Sequence, residues 1–230
     1  MDEYLMEKLL CINTSRVETR MDAIRYYNRY EPTPYSDLNL LFSQYEIREE
    51  DHIVDFGSGK GRISFFVNYY YNTGCTSVEI VNEFHQLAVE NFKNYKNKHK
   101  RGEGKLFYVN QPAQDYEIGK FENKFYFFNP FACSIFISII NKIIESVDEF
   151  PRIVDIILYY PNQEYIDFLD RYTAFSLYKE VYTEKRSKNP REKFSIYRLG
   201  ENLESILDDR LISLNYENKY GNIYTKKQNK

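Results

Sequence analysis

His52-Ile53-Val54-Asp55-Phe56-Gly57-Ser58-Gly59-Lys60-Gly61-Arg62 decides how this chain of 230 residues is read. An apolar run ends in an acid, three glycines follow at alternate positions, and an amphipathic segment begins at Arg62. Alternate glycines remove the Cβ atoms that would keep a ligand off the backbone, and they permit positive φ in a tight strand-to-helix turn. The helix start beyond them offers free N–H groups and a partial positive charge. The stretch predicts a loop that holds a nucleotide-like ligand, with Asp55 restricting which one.

Two common loop types do not fit. A phosphate-cradling P-loop needs G-x-x-x-x-G-K-[ST], but Val54 and Gly61 stand where the first glycine and the hydroxyl belong. A dinucleotide fingerprint needs G-x-G-x-x-G with a pyrophosphate on the helix N-terminus. The third glycine is misplaced for it, and an acid two residues before Gly57 disfavours a pyrophosphate. Asp55 suits a ligand carrying a cation there. A second acid follows. Cys75-Thr76-Ser77-Val78-Glu79-Ile80 reads as a short buried strand ending in Glu79. An acid about 20 residues after such a turn is where a ribose diol is gripped in these folds, since a carboxylate accepts from both hydroxyls.

Further along, apolar periodicity predicts helices over much of 1–30, over Asp37–Gln44 with Ser36 as cap, and over 62–71, 83–95, 134–147 and 163–172. In the first of these, Leu5, Leu9 and Ile12 carry the helical spacing. Strands are expected at 52–56, 77–80, 106–110, 124–128 and 153–159. Two alternating segments at 176–183 and 193–199 read as an antiparallel hairpin. The fold class is therefore α/β: a Rossmann-like, seven-stranded, mostly parallel sheet flanked by helices, with a terminal hairpin and an N-terminal helical extension. The expected division is an extension at 1–45, a ligand-binding domain at 46–216 and a polar tail at 217–230. Asp55, Glu79, Asn110, Asn129 and Tyr160 fall at strand ends, on the rim where open α/β sheets bind ligands.

The D-x-G-x-G-x-G pattern resembles motif I of the class I S-adenosylmethionine (SAM) methyltransferases. The resemblance implies SAM as cofactor, with Asp55, Gly57, Ser58, Gly59 and Gly61 at its methionine end and Glu79 at its ribose. Asn129-Pro130-Phe131 resembles a shortened Asn/Asp-Pro-Pro-aromatic motif of amino-directed methyltransferases, lacking the second proline. In that motif the Asn carbonyl accepts from an amine N–H and an aromatic ring packs on the acceptor, so Asn129, Pro130 and Phe131 are the expected catalytic residues. The order of elements looks closest to the non-SET lysine methyltransferases of the disruptor-of-telomeric-silencing type. Tyr30 and Thr33 match the ends of that family's Tyr-Gly-Glu-Thr lid, with Glu31 and Pro32 departing from it. Asp115-Tyr116 resembles its adenine-binding Asp-Phe pair. No extended basic nucleosome-binding segment is present, so a histone substrate is not implied. Arg62 is read either as a brace for the cofactor carboxylate or as a helix-surface ion pair.

A net charge of −3 gives no bulk case for nucleic-acid binding, and the lysine-rich run at 93–105 reads as a solvated helix end. Three cysteines without C-x-x-C pairing predict a reducing, cytoplasmic setting without structural zinc. His52, His85 and His99 are scattered, so no metal site is expected. No apolar stretch reaches the roughly 18 residues of a membrane span, and the start lacks the basic and apolar regions of a signal peptide. The reading is a SAM-dependent methyltransferase acting on nitrogen of an unidentified acceptor, whether protein amine, nucleic acid or small molecule. A SAM-binding regulatory module without turnover remains open beside it.

Overall fold

The structure is a computed structural model that describes residues 2–15 and 31–200. Tyr30, most of the first predicted helical region and the polar tail lie outside the described residues. Seven strands, β1 (His52–Phe56), β2 (Gly74–Glu79), β3 (Leu106–Asn110), β4 (Lys124–Phe127), β5 (Val154–Tyr159), β6 (Ser176–Tyr182) and β7 (Lys193–Leu199), form one sheet. Its order is β3-β2-β1-β4-β5-β7-β6. The first five strands run parallel, while β7 is antiparallel to β5 and β6 to β7. The chain lays β2 and β3 on one side of β1 and then returns to place β4 on the other. That reversal opens a crevice beyond the carboxyl ends of β1 and β4, where α/β sheets bind ligands.

The central strands are buried on both faces, as parallel sheets require. Alternate residues serve opposite cores. Ile53, Tyr126, Ile157 and Tyr159 pack with α2 (Tyr35–Gln44) and α3 (Arg62–Tyr71). Val54, Phe125, Phe127, Ile156 and Leu158 pack with α5 (Cys133–Glu149) and α6 (Gln163–Tyr172). A fifth helix, α4 (Asn82–His99), reaches well into the lysine-rich run and joins the first core through Tyr95.

Three local expectations shift. In α1 (Glu3–Leu10) the inward residues are Met6, Glu7 and Leu10, whereas Leu5 and Leu9 are exposed. The helix is rotated because Glu7 must reach Arg62, 3.3 Å away. Helix α2 begins at Tyr35 with Pro34 as its cap residue, so Ser36 sits inside the first turn. Its leading N–H is met by a tertiary partner: the Tyr35 N–H donates to Glu3 Oε1 at 2.8 Å. Strand β2 starts three residues early because Gly74 pairs with His52, and its polar Thr76 and Ser77 are buried within the ladder.

At the opposite end from the crevice, Asp155 is fully buried. It accepts from Lys124 Nζ at 2.7 Å and from Arg198 Nε and Nη2 at 2.7 and 2.9 Å, and Tyr45 also donates to it. Burial alone pushes the Asp155 carboxyl up, but the bonds from Arg198 and Lys124 outweigh it and hold the group below the ordinary range. Removing one partner of such a cluster strands the others. Asp155→Ala is expected to destabilise the fold by about 3–5 kcal/mol in urea titrations; a loss below about 1 kcal/mol would mean the cluster is solvated.

Candidate functional site

The glycine loop is shaped by hydrogen bonds to its own neighbours. The N–H groups of Gly57 and Ser58 both donate to the Val78 carbonyl, at 2.9 and 3.2 Å, and Gly61 N–H donates back to Ser58 O at 2.9 Å. Gly57, Gly59 and Gly61 have φ of 77°, 54° and 83°, the left-handed region in which a side chain is strained. At Gly57 space is limiting too, because a Cβ would lie 2.6 Å from Pro130 Cβ. The loop after β1 therefore rests directly on the loop after β4.

A cleft enclosing about 100 Å³ and open to the surface lies beside these loops. Asp55, Gly57, Ser58 and Glu79 line its inner wall, with Arg62 beside them. Thr33, preceded by Glu31 and Pro32, covers one side. Tyr126, Phe128, Pro130 and Phe131 form an aromatic wall, and Ile80, Val81, Phe84, Gln111 and Ala113 close the far end. The Ser58 hydroxyl oxygen is buried here and makes no hydrogen bond among the described residues.

Glu79 is buried and braced by backbone. Its Oε2 accepts from Gly59 N–H at 2.7 Å and its Oε1 from Val81 N–H at 2.8 Å. Each carboxylate oxygen accepts about two bonds, so acceptor capacity remains for a diol. Burial raises the Glu79 pKa, against the lowering effect of these amide bonds. Asp55 is buried without such bracing, and burial together with the Glu79 charge pushes its carboxyl up to about 8. Two buried acids, with no cation between them among the described residues, make a site that favours a cationic ligand.

Several residues expected at the site lie away from the cleft wall. Gly59 spends its N–H on Glu79 and does not line the cleft. Gly61 is the residue before α3, and a Cβ there would meet the Tyr108 and Phe65 rings at 3.1 and 3.3 Å. Its bareness lets the helix pack on the sheet rather than admitting a ligand. Asp115 is exposed, and Tyr116 is turned under the sheet, its hydroxyl donating to Glu122 at 2.5 Å and its ring against Phe56. Neither lines the cleft, where Gln111 and Ala113 stand instead. Asn129 is likewise off the wall. Its φ is 41° and its amide oxygen is buried, so it shapes the turn that presents Phe128, Pro130 and Phe131.

Arg62 is neither a free brace nor a surface pair. Its Nε donates to Thr14 Oγ1 at 2.7 Å, Nη1 to Glu3 Oε2 at 2.7 Å and to Thr33 O at 2.9 Å, and Nη2 to Ser15 Oγ at 2.8 Å and Glu7 Oε1 at 3.3 Å. All five donors of a guanidinium are thus engaged within the protein. Thr33 is held at both ends, since its hydroxyl also bonds Tyr126 Oη at 2.7 Å. Tyr126 escaped the sequence reading, although a tyrosine among the inward residues of a buried strand must find a polar partner.

No protein-family model matches the chain, and no curated protein matches it in sequence. Solved structures are similar in three dimensions. A human methyltransferase 10 domain containing protein shares 11% identity over 86% of this chain and 93% of its own, at a TM-score of 0.56. A candidate methyltransferase from Escherichia coli shares 18%, over 74% and 88%, at 0.54. A candidate RNA methyltransferase from Pyrococcus horikoshii shares 18%, over 84% and 97%, at 0.53. At these identities the likeness shows a common fold, the Rossmann-like seven-stranded sheet.

The raised Asp55 pKa makes stability depend on pH. The unfolded carboxyl ionises near 4, while the folded one keeps its proton to about 8. The folded state therefore binds the extra proton between those values, and its stability falls as pH rises through that window. Asp55→Asn removes the penalty. The variant is expected to melt several degrees above the parent at pH 8 and level with it near pH 4. Equal melting temperatures at both pH values would place Asp55 in a solvated environment.

Proposed function

We propose that the chain is a SAM-dependent methyltransferase that acts on a nitrogen acceptor. The carrying observation is that Asp55, the Gly57–Ser58 turn, the braced Glu79 and the Pro130–Phe131 wall line one cleft. The fold shared with solved methyltransferases supports the same reading. So does the partial likeness of Tyr30, Thr33 and Asn129–Phe131 to the disruptor-type lysine methyltransferases, which favours nitrogen over oxygen or carbon. In this reading 1–45 is an extension that covers the 46–216 core, 217–230 is a polar tail, and the free cysteines belong to a cytoplasmic protein.

SAM brings a methyl group already activated on a sulfonium, so the chain must mainly bind, align and dry the reactants. The open acceptor positions of Glu79 receive the ribose hydroxyls, and the Ser58 hydroxyl gains a partner. Asp55, ionised once a cation lies beside it, offsets the positive charge of the methionine end. Gln111 and Ala113 flank the adenine in place of Asp115 and Tyr116. Phe128, Pro130 and Phe131 exclude water from the acceptor side. Phe131 is fixed there from both backbone atoms: its N–H donates to Tyr165 Oη at 3.3 Å, and Tyr165 donates to its carbonyl at 2.6 Å.

Glu79→Ala is expected to weaken SAM binding by about 1–3 kcal/mol in calorimetric titration, the loss of a charged hydrogen-bond partner; unchanged affinity removes the ribose assignment. Asn129 is tested by two substitutions. If it shapes the turn, Asn129→Gly, which accepts positive φ, retains methyl transfer from radiolabelled SAM while Asn129→Ala loses it. If its amide holds the acceptor, both variants lose turnover and both keep SAM affinity.

A further inference from the structure

We propose that the loop between β6 and β7 docks the phosphate backbone of a single-stranded nucleic acid, one of whose bases is the methyl acceptor. The inference rests on the methyl-transfer reading and names its substrate class.

The loop is clamped to the chain just after β5, on the same edge of the sheet as the cleft. Tyr160 N–H donates to Lys193 O at 3.0 Å, Asn189 Nδ2 to Tyr160 Oη at 2.6 Å, and Arg191 Nε to Pro161 O at 3.1 Å. Tyr160 directly follows β5. The ring of the preceding Tyr159 lies 4.6 Å from that of Phe128, a residue of the cleft wall. The loop is thus one strand away from the end of β4.

Its exposed cations are not neutralised by acids among the described residues, although Arg191 also donates to the Pro161 and Tyr160 carbonyls. Lys185, Lys188 and Arg191 are exposed and make no ion pair among the described residues, whereas Lys193 at the loop base is paired with Glu180. Of the acids in the loop, Glu184 is exposed and Glu192 is half-buried near the Tyr159 hydroxyl. On a chain of net charge −3 this is a local feature beside the cleft, which suits a polyanion whose reactive part enters that cleft.

Two further observations separate a nucleic acid from an acidic peptide. The Arg191 guanidinium carbon sits 4.3 Å from the centroid of the half-buried Tyr160 ring, a pair of planar groups on which bases stack. Tyr160 and Asn129 also hold φ of 51° and 41° at the ends of adjacent strands. Positive φ is a rare conformation for a bulky side chain, and such outliers gather at functional sites. Asn129 follows Phe128 in the chain, and Tyr160 follows Tyr159, whose ring meets that of Phe128 in the aromatic wall.

The test uses the full chain and a fluorescein-labelled, mixed-sequence, single-stranded RNA 12-mer, followed by anisotropy from 50 to 300 mM salt. Each lost phosphate contact lowers the salt slope by about 0.7 for single strands. Lys185→Ala/Lys188→Ala/Arg191→Ala should therefore lower it by about 2, and the affinity at 0.1 M salt on the order of 100-fold. Lys185→Ala/Lys188→Ala touches no bond that holds the loop, and should give about two thirds of that slope change. Calorimetric SAM affinity should be the same in all three proteins. A DNA 12-mer of the same sequence that binds equally well supports the docking and shows it to be blind to the 2′-hydroxyl. SAM binding without RNA or DNA binding overturns the loop and base-acceptor assignments and leaves the methyl-transfer reading standing, while equal nucleic-acid binding in parent and variants overturns the loop assignment alone. Label from SAM entering lysate protein, undiminished by the triple variant, overturns it in favour of a protein amine. Absence of SAM binding in the parent overturns the methyl-transfer reading, and the base-acceptor assignment falls with it.

Discussion

The buried Arg62 guanidinium is the constraint on which the crevice depends. A charge taken from water must find partners for every donor or the burial is strongly unfavourable. Here Glu3 and Glu7 of α1, Thr14 and Ser15 beyond it, and the Thr33 carbonyl together meet all five. Because these groups come from three separate stretches, satisfying one side chain fixes three stretches against the start of α3. The Tyr35 ring below it, 4.2 Å from the guanidinium carbon, adds α2 to the assembly. Lysine could not replace it, having three donors on a point charge rather than five in a planar fork.

That anchoring reaches the cleft through Thr33. Its carbonyl is held by Arg62 and its hydroxyl by Tyr126, so the segment over the cleft is tied to the helix start on one side and to β4 on the other. The loops after β1 and β4 are tied in turn by contact, since Pro130 occupies the volume a side chain at Gly57 would need. The resulting wall keeps Asp55 and Glu79 in a dry setting. There burial and the neighbouring Glu79 keep a proton on Asp55, and an entering cation favours its release, so the electrostatic preference of the site is built into its burial.

Most of the scaffold was legible in the chain because its signals are local. The apolar run, the acid and the alternate glycines at 52–61 place a strand and a turn, and the structure gives β1 and α3 the expected bounds. The same holds for β3, α6 and β7. Where bounds moved, non-local partners moved them. Strand β2 was extended by ladder pairing of polar residues, and the start of α2 was set by Glu3 rather than by Ser36. The inward side of α1 follows Glu7, which answers to an arginine 55 positions away.

The sequence by itself determined the α/β class, the antiparallel last hairpin, the glycine turn and the two acids that end β1 and β2. Each of these follows from the periodicity or conformational freedom of residues close in the chain. Only the tertiary structure decided which motif residues share the cleft. Gly61 and Tyr116 carry the expected identity in the expected order, yet one spaces a helix from a strand and the other packs beneath the sheet. Phe128 and Tyr126 entered the wall because strand alternation and the turn at Asn129 aim them there. A side chain's direction depends on register and on what it packs against, and those are set by contacts between residues far apart in sequence.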